Sequence, residues 1–267
     1  MSYSVDDLLR VMQRLRDPDT GCPWDLRQDF QSIVPSTLEE CYELAQAIEH
    51  ADYPHVAEEL GDVLFQVIFY AQLGAEQGLF SFSNIVNTLV EKLLRRHPHV
   101  FADGVIEGVL DSSTTVAEVN DNWEAIKQQE RNARAQTSAM ADIPLALPAL
   151  PRAQKLQKRA ARRHFDWSDT AGVLDKLEEE IHELRQAMQA DASDQIAEEM
   201  GDVLFSCVNL SRHLGLDAEA TLRGASHKFE ARFRAMETAA SESGRQFEEL
   251  AAYEMDALWE AAKLSLR

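Results

Sequence analysis

Between its last proline, Pro151, and its end at Arg267 the chain holds no proline at all. No missing backbone donor therefore interrupts a helix anywhere in that stretch. Cysteine is scarce. Cys22, Cys41 and Cys207 are odd in number, widely spaced and without a C-x-x-C pair, which excludes a disulfide framework and gives no zinc pattern. Cys41 and Cys207 fall in apolar helical patterns and are expected to be buried thiols. Basic residues are outnumbered 26 to 46, for a net charge of −20. A surface that acidic repels nucleic-acid backbones and anionic lipid, so neither is expected as a partner. Long apolar runs are also missing: the best stretch, Val63 to Leu73, is too short to cross a bilayer. The opening Ser-Tyr-Ser-Val-Asp-Asp has no apolar signal core, and a cytoplasmic location is expected. No segment alternates apolar and polar residues between turn signals, so no sheet is expected.

What is present is a duplication. Glu58-Glu59-Leu60-Gly61-Asp62-Val63-Leu64-Phe65 returns 140 residues later as Glu198-Glu199-Met200-Gly201-Asp202-Val203-Leu204-Phe205, changed only at Leu60/Met200. The same shift puts Glu40 and Glu43 on Glu180 and Glu183. A shift of 136 puts Trp123-Glu124-Ala125 and Lys127 on Trp259-Glu260-Ala261 and Lys263, Lys92 on Lys228, and Arg96 on Arg232. Similarity at one long period means two copies of a domain. With 267 residues, the division expected is a first copy over 1–135, a linker rich in Pro and Ala over 136–151, and a second copy over 152–267.

Apolar spacing predicts helices throughout. In the first copy they cover Val5 to Leu15 with Ser4 as cap, Thr37 as cap to about His50, about Val56 onward, Phe82 to Arg96, and Thr115 to about Ala135. In the second they cover Arg152 to Arg163, Val173 to Asp191, Ser193 to Leu214, Ala218 to Ser241, and Phe247 to Leu266. The helix through Leu60, Val63, Leu64, Val67, Ile68 and Ala71 carries an apolar band wide enough to predict near-complete enclosure. One copy would struggle to cover that band, which favours a homodimer. Gly61 and Gly201 are expected to mark close helix packing. Trp24 is read either as an apolar staple under the first helix or as part of a nucleobase pocket. His97 and His99 lack further ligands at metal spacing and read as loop packing.

The chemistry concentrates in the repeated acids. Glu180 and Glu183 lie three residues apart, as do Glu199 and Asp202, so each pair projects from one helix face a turn apart. Glu40 and Glu43 with Glu59 and Asp62 repeat the arrangement. Four converging carboxylates repel unless a cation sits among them, and an all-oxygen set suits Mg²⁺, with Mn²⁺ as a substitute. Acids that merely solvate helix faces are the plain alternative, but these sit beside the most apolar helix of each half. A di-iron bundle would use Glu179 and His182 as a Glu-x-x-His pair, yet the first copy has Glu39 and Tyr42 there. Lys176 lies one turn before Glu180, and Lys228 and Arg232 stand together on a later helix. In so acidic a chain these cations suit a ligand bringing metal and excess phosphate charge.

Glu-x-x-Glu, 15 residues, then Glu-x-x-Asp, with Leu-Glu-Glu before and Gly-Asp-Val-Leu-Phe after, resembles the MazG-type nucleoside triphosphate pyrophosphohydrolases of the all-α NTP pyrophosphohydrolase superfamily. Cys22-Pro23-Trp24-Asp25, Arg95-Arg96-His97-Pro98-His99-Val100-Phe101 and Lys228-Phe229-Glu230-Ala231-Arg232-Phe233 are similar to that family's segments. The resemblance implies an all-α fold of two tandem helical bundles, dimerising to complete them. It implies hydrolysis of NTPs and dNTPs between the α- and β-phosphates, with Mg²⁺, to NMP and pyrophosphate, over a broad base range. By the same analogy Glu180, Glu183, Glu199 and Asp202 hold the metal, with Glu40, Glu43, Glu59 and Asp62 as counterparts. Lys176, Glu198, Lys228 and Arg232 face the substrate and Trp259 the nucleotide, with Lys92, Arg96 and Trp123 as counterparts. Glu179 and Glu180 form the expected catalytic pair, Glu179 as proton acceptor. Ser36 stands where Lys176 does, so the second copy is expected to carry most of the hydrolysis. A non-catalytic nucleotide-sensing or scaffolding bundle and a dUTPase-like enzyme for selected nucleotides are the alternatives.

Overall fold

The structure is a computed structural model that describes residues 2–108, 115, 118–119, 122–123, 125–126, 130 and 138–266. All regular structure among these residues is helical, with no strand. The chain divides into two compact units, Met1–Glu130 and Arg131–Arg267.

In the first unit α1 (Val5–Leu15) starts at Ser4, whose side chain and that of Asp7 satisfy each other's backbone N–H groups. This reciprocal cap fixes the helix start. α2 spans Val34–Glu49, α3 Tyr53–Glu76 and α4 Phe82–Arg96. Met12, Ile33, Ile68, Phe69 and Leu73 form the core, with Leu8, Phe30 and Tyr70 packed around it. Buried Arg16 pins the loop after α1. Its Nε and Nη2 donate to Glu76 at 2.8 and 2.7 Å and Nη1 to the carbonyls of Asp25 and Gln28, while its guanidinium lies 5.3 Å from the Phe69 ring. A buried guanidinium needs such a full set of acceptors.

In the second unit α5 spans Ala149–Ala161, α6 Thr170–Gln189, α7 Ser193–His213, α8 Ala218–Glu242 and α9 Ala252–Ser265. Two buried glutamines tie α5 inward: Gln157 Nε2 donates to the Phe205 carbonyl at 2.9 Å, and Gln154 Nε2 to that of Leu216 at 2.9 Å. Asp169 caps α6 by accepting from Gly172 N at 3.0 Å. The acidic helices form the same hairpin in both units. α2 and α6 each end at a non-glycine residue in left-handed backbone, Ala51 (φ 54°) and Asp191 (φ 51°), 140 residues apart.

Several expectations need correction. α2 begins at Val34, with Pro35 in its first turn, where its missing N–H costs nothing. Thr37 is not a cap: its hydroxyl donates to the Ile33 carbonyl at 3.0 Å inside the helix. Cys41 and Cys207 are exposed rather than buried. Trp24 is 53% exposed, more open than a staple buried under α1 would be. A Cβ built on Gly61 or Gly201 meets nothing within 4 Å, so neither glycine marks close packing within the chain. The band on α3 is only half enclosed, with Ile68 and Ala71 buried and Leu60, Leu64 and Val67 open to solvent; α7 likewise exposes Met200, Leu204 and Phe205. Residues 138–148, expected as linker, fall within the second compact unit, and Ile143 among them is buried. Of the helix expected over 115–135, the described residues 118–119, 122–123, 125–126 and 130 are helical. Glu124, Lys127 and residues 131–137 lie outside the described residues.

Candidate active site

The acids meet because each α-hairpin sets two helices side by side with their acidic pairs at the same height. Glu180, Glu199 and Asp202 can each bring a carboxylate oxygen within 4.8 Å of the others, and so can Glu40, Glu43 and Glu59. The trios differ: Glu183 stands outside the second and Asp62 outside the first. Both nonetheless act on their clusters electrostatically. Burial first, then Glu183, Glu180 and Asp202, raises the Glu199 carboxyl above its ordinary value. Burial, then Asp62, Glu43 and Glu59, does the same to Glu40. Acids that raise the Glu199 and Glu40 carboxyls in this way leave a surplus of negative charge for a cation to compensate. Glu59 and Glu180 are 5% and 6% exposed, and Glu59 Oε2 is buried without a partner. Unsatisfied oxygen within an all-carboxylate set is what a hard divalent ion would complete.

The clusters differ in the basic side chain already beside them. Lys176 Nζ lies 2.8 Å from Glu180 Oε1 and 2.9 Å from Glu179 Oε1, and these two carboxylates, Glu180 foremost, raise its pKa further. In the first unit His55, from α3, reaches Glu59 at 2.6 Å instead. Sequence reasoning missed His55, although its position four residues before Glu59 signals a one-turn contact. His182 is exposed and pairs with Gln186 at 2.8 Å. His97 packs against His99 and Trp123 with ring centroids 5.7 Å apart, the loop-packing role expected of that pair.

Lys228 and Arg232 lie on α8 and Trp259 on α9. The Arg232 guanidinium sits 5.8 Å from the Trp259 ring centre, and the Phe229 ring lies 5.5 Å from that of Trp259. Among the described residues no ion pair joins this group to the acidic cluster. Arg232 Nε is buried without a partner. Its counterpart Arg96 is instead committed, with Arg95, to Glu130 at 2.5 and 2.6 Å. Arg96, then Arg95, holds the Glu130 carboxyl down at about 2. The 136-residue shift places Leu266 opposite Glu130, so the second copy has no acid there.

A cavity of about 370 Å³ opens beside the second cluster, with Lys176, Glu180 and Asp202 in its wall together with Phe165, Trp167 and Phe205. The volume lies within the range of small-molecule sites. Asp166 secures the loop carrying the two aromatics by accepting from Arg212 and from His213, the latter at 2.9 Å. Sequence reasoning passed over Phe165-Asp166-Trp167 because an exposed aromatic before a helix is not distinctive by itself.

The arrangement has clear relatives. The profile of the MazG nucleotide pyrophosphohydrolase domain matches residues 28–101 and again 169–236. The chain is 48% identical over 261 residues to the nucleoside triphosphate pyrophosphohydrolase of Escherichia coli (strain K12), covering 97% of each protein. It is 42% identical over 258 residues to the nucleoside triphosphate pyrophosphohydrolase/pyrophosphatase MazG of Thermotoga maritima, covering 97% of this chain and 95% of that one. Two domain matches in tandem, each spanning one acidic hairpin, and relatives aligned from end to end place the chain in the MazG nucleotide pyrophosphohydrolase family.

Proposed function

We propose that the second unit's acidic hairpin is the centre at which this chain, a nucleoside triphosphate pyrophosphohydrolase, cleaves NTPs and dNTPs between the α- and β-phosphates to NMP and pyrophosphate. The observation that carries this reading is the convergence of Glu180, Glu199 and Asp202 within 4.8 Å beside a cavity that also exposes Lys176. Mg²⁺ is the ion assigned to these acids and Glu183, with Mn²⁺ as a substitute, on the strength of the all-oxygen donor set. A bound ion of this kind supplies charge neutralisation for the triphosphate and acidifies water at the site. Glu179, exposed and one residue from the buried Glu180, accepts the proton of the attacking water. Lys176, 2.8 Å from Glu180, would hold a phosphate oxygen beside the metal that Glu180 would help to carry. Glu198 faces the substrate from α7. Lys228 and Arg232, the latter with donor capacity unspent, serve the phosphates, and Trp259 the nucleotide.

Glu40, Glu43, Glu59 and Asp62 form a second metal cage in which Lys92, Arg96 and Trp123 would face the substrate. With Arg96 neutralised by Glu130 and Ser36 in place of a lysine, this copy is the weaker one. The copies are assigned to 1–135 and 152–267, with their link between them. The apolar faces of α3 and α7 are covered in a homodimer, and the acidic surface and the substrate class suit a cytoplasmic enzyme.

Product analysis tests the activity. Incubation of an NTP with the chain and Mg²⁺ should give NMP and pyrophosphate in equal amounts, and EDTA should stop it. Nucleotide binding without turnover would leave a sensing bundle; release of orthophosphate would move the cleaved bond.

A further inference from the structure

Two amides line the cavity beside the second acidic cluster, and each is held in one orientation by its neighbours. Gln157 is 6% exposed. Its Nε2 donates to the Phe205 carbonyl at 2.9 Å, which only an amino group can do, so Oε1 is the other end. That oxygen is buried and has no hydrogen-bond partner. Asn209 is 5% exposed. Its Oδ1 accepts from Arg212 Nε at 3.0 Å and Nη2 at 2.7 Å, which only an oxygen can do, and this leaves Nδ2 as the end still able to donate. Gln157, with an open acceptor, and Asn209, with an open donor, thus stand in the cavity wall among Phe165, Trp167 and Phe205. Buried polar atoms are normally satisfied, and an acceptor left open in an aromatic-lined cavity is matched by a planar ligand with an N–H on its edge.

The first copy shows that this wall is not required by the fold. The 140-residue shift places Phe69 opposite Asn209, Gln66 opposite Ser206 and Gln72 opposite Arg212. Phe69 is 0% exposed and belongs to the first unit's core. Where the first copy packs a ring, the second sets a polar amide held by an arginine.

We propose that Gln157 and Asn209 read the edge of the substrate's base: Gln157 Oε1 accepts an N–H from the base, and Asn209 Nδ2 donates to an acceptor beside it. This rests on the reading of the adjacent acids as the metal and phosphate end of the site. Adenine, guanine, cytosine and uracil all carry an N–H next to an acceptor on that edge. The pair therefore accepts every common base and rejects a ring that lacks the N–H, because Gln157 Oε1 then stays buried and unsatisfied.

The test compares ATP with purine riboside triphosphate, which differs only by loss of the 6-amino group, and CTP with pyrimidin-2-one riboside triphosphate, which lacks the 4-amino group. With the full chain and Mg²⁺, kcat/KM for pyrophosphate release should favour the N–H-bearing member of at least one pair by roughly tenfold or more. Gln157→Leu should bring that ratio close to one. Ratios near one in both pairs for the unaltered chain would overturn the proposal, and so would a ratio that survives Gln157→Leu in a variant of unchanged thermal midpoint. If Gln157→Leu does not fold, the ratios of the unaltered chain decide. If no triphosphate releases pyrophosphate, the reading of the acidic site fails separately. Dissociation constants for the same two pairs then test the amides by the same criterion.

Discussion

Glu179 and Glu180 are adjacent in sequence yet differently placed: Glu180 is buried in the cluster, while Glu179 is exposed and touches Lys176 from outside at 2.9 Å. That division suits one acid to holding charge and the other to moving a proton. Glu179→Gln keeps the shape and the hydrogen bond to Lys176 but removes the base. Turnover should fall by about 10²-fold or more with Mg²⁺-nucleotide affinity preserved; unchanged turnover would rule out Glu179 as the acceptor. Asp166 tests the neighbouring cavity wall. Arg212, then His213, holds its carboxyl down at about 2. A depressed carboxylate contributes stability that is complete above its unfolded value of about 4 and is lost as pH falls toward 2. Partial exposure discounts the contribution to ~1 kcal/mol. Asp166→Asn should therefore lower the thermal midpoint at neutral pH by about 2–4 °C and narrow the gap between neutral pH and pH 2–3. An unaltered gap would show that the pair contributes nothing.

At the scale of elements, the helices were largely legible in the sequence because their signals are local. Ser4 with Asp7 marks the start of α1, and apolar spacing marks the hairpins of α2 with α3 and α6 with α7. What stayed hidden depends on contacts distant in sequence. The start of α2 shifts to Val34 because Pro35 suits a first turn and Thr37 bonds backward to Ile33. The open acceptor of Gln157 exists only because Phe205, 48 residues on, takes its amino group. The acidic pairs were legible as pairs, but which three acids close up in each copy depends on how the two helices of each hairpin are set against one another. The band on α3 was read correctly as apolar, and the near-complete enclosure expected of it is not reached in the single chain. Leu64 and Leu204 face solvent in the single chain, and a pair of copies would cover them. Leu64→Asp with Leu204→Asp should halve the mass seen by light scattering. A single-chain mass for the unaltered protein would remove the dimer.

Across the whole molecule, duplication left two hairpins of one design and unequal surroundings. The second keeps a lysine on its buried glutamate, an arginine with spare donor capacity and an aromatic-lined cavity with two amides in its wall; the first spends its arginine on Glu130 and has Phe69 where the second has Asn209. On the proposed reading, the same acids would support two levels of activity in one chain. Pyrophosphate release by Glu180→Ala and by Glu40→Ala, each in the full-length protein with saturating Mg²⁺ and NTP, measures that inequality directly. Release should fall by about 10²-fold or more for Glu180→Ala and change at most a few-fold for Glu40→Ala. A larger loss from Glu40→Ala, or near-normal release by Glu180→Ala, would contradict the assignment of hydrolysis to the second unit.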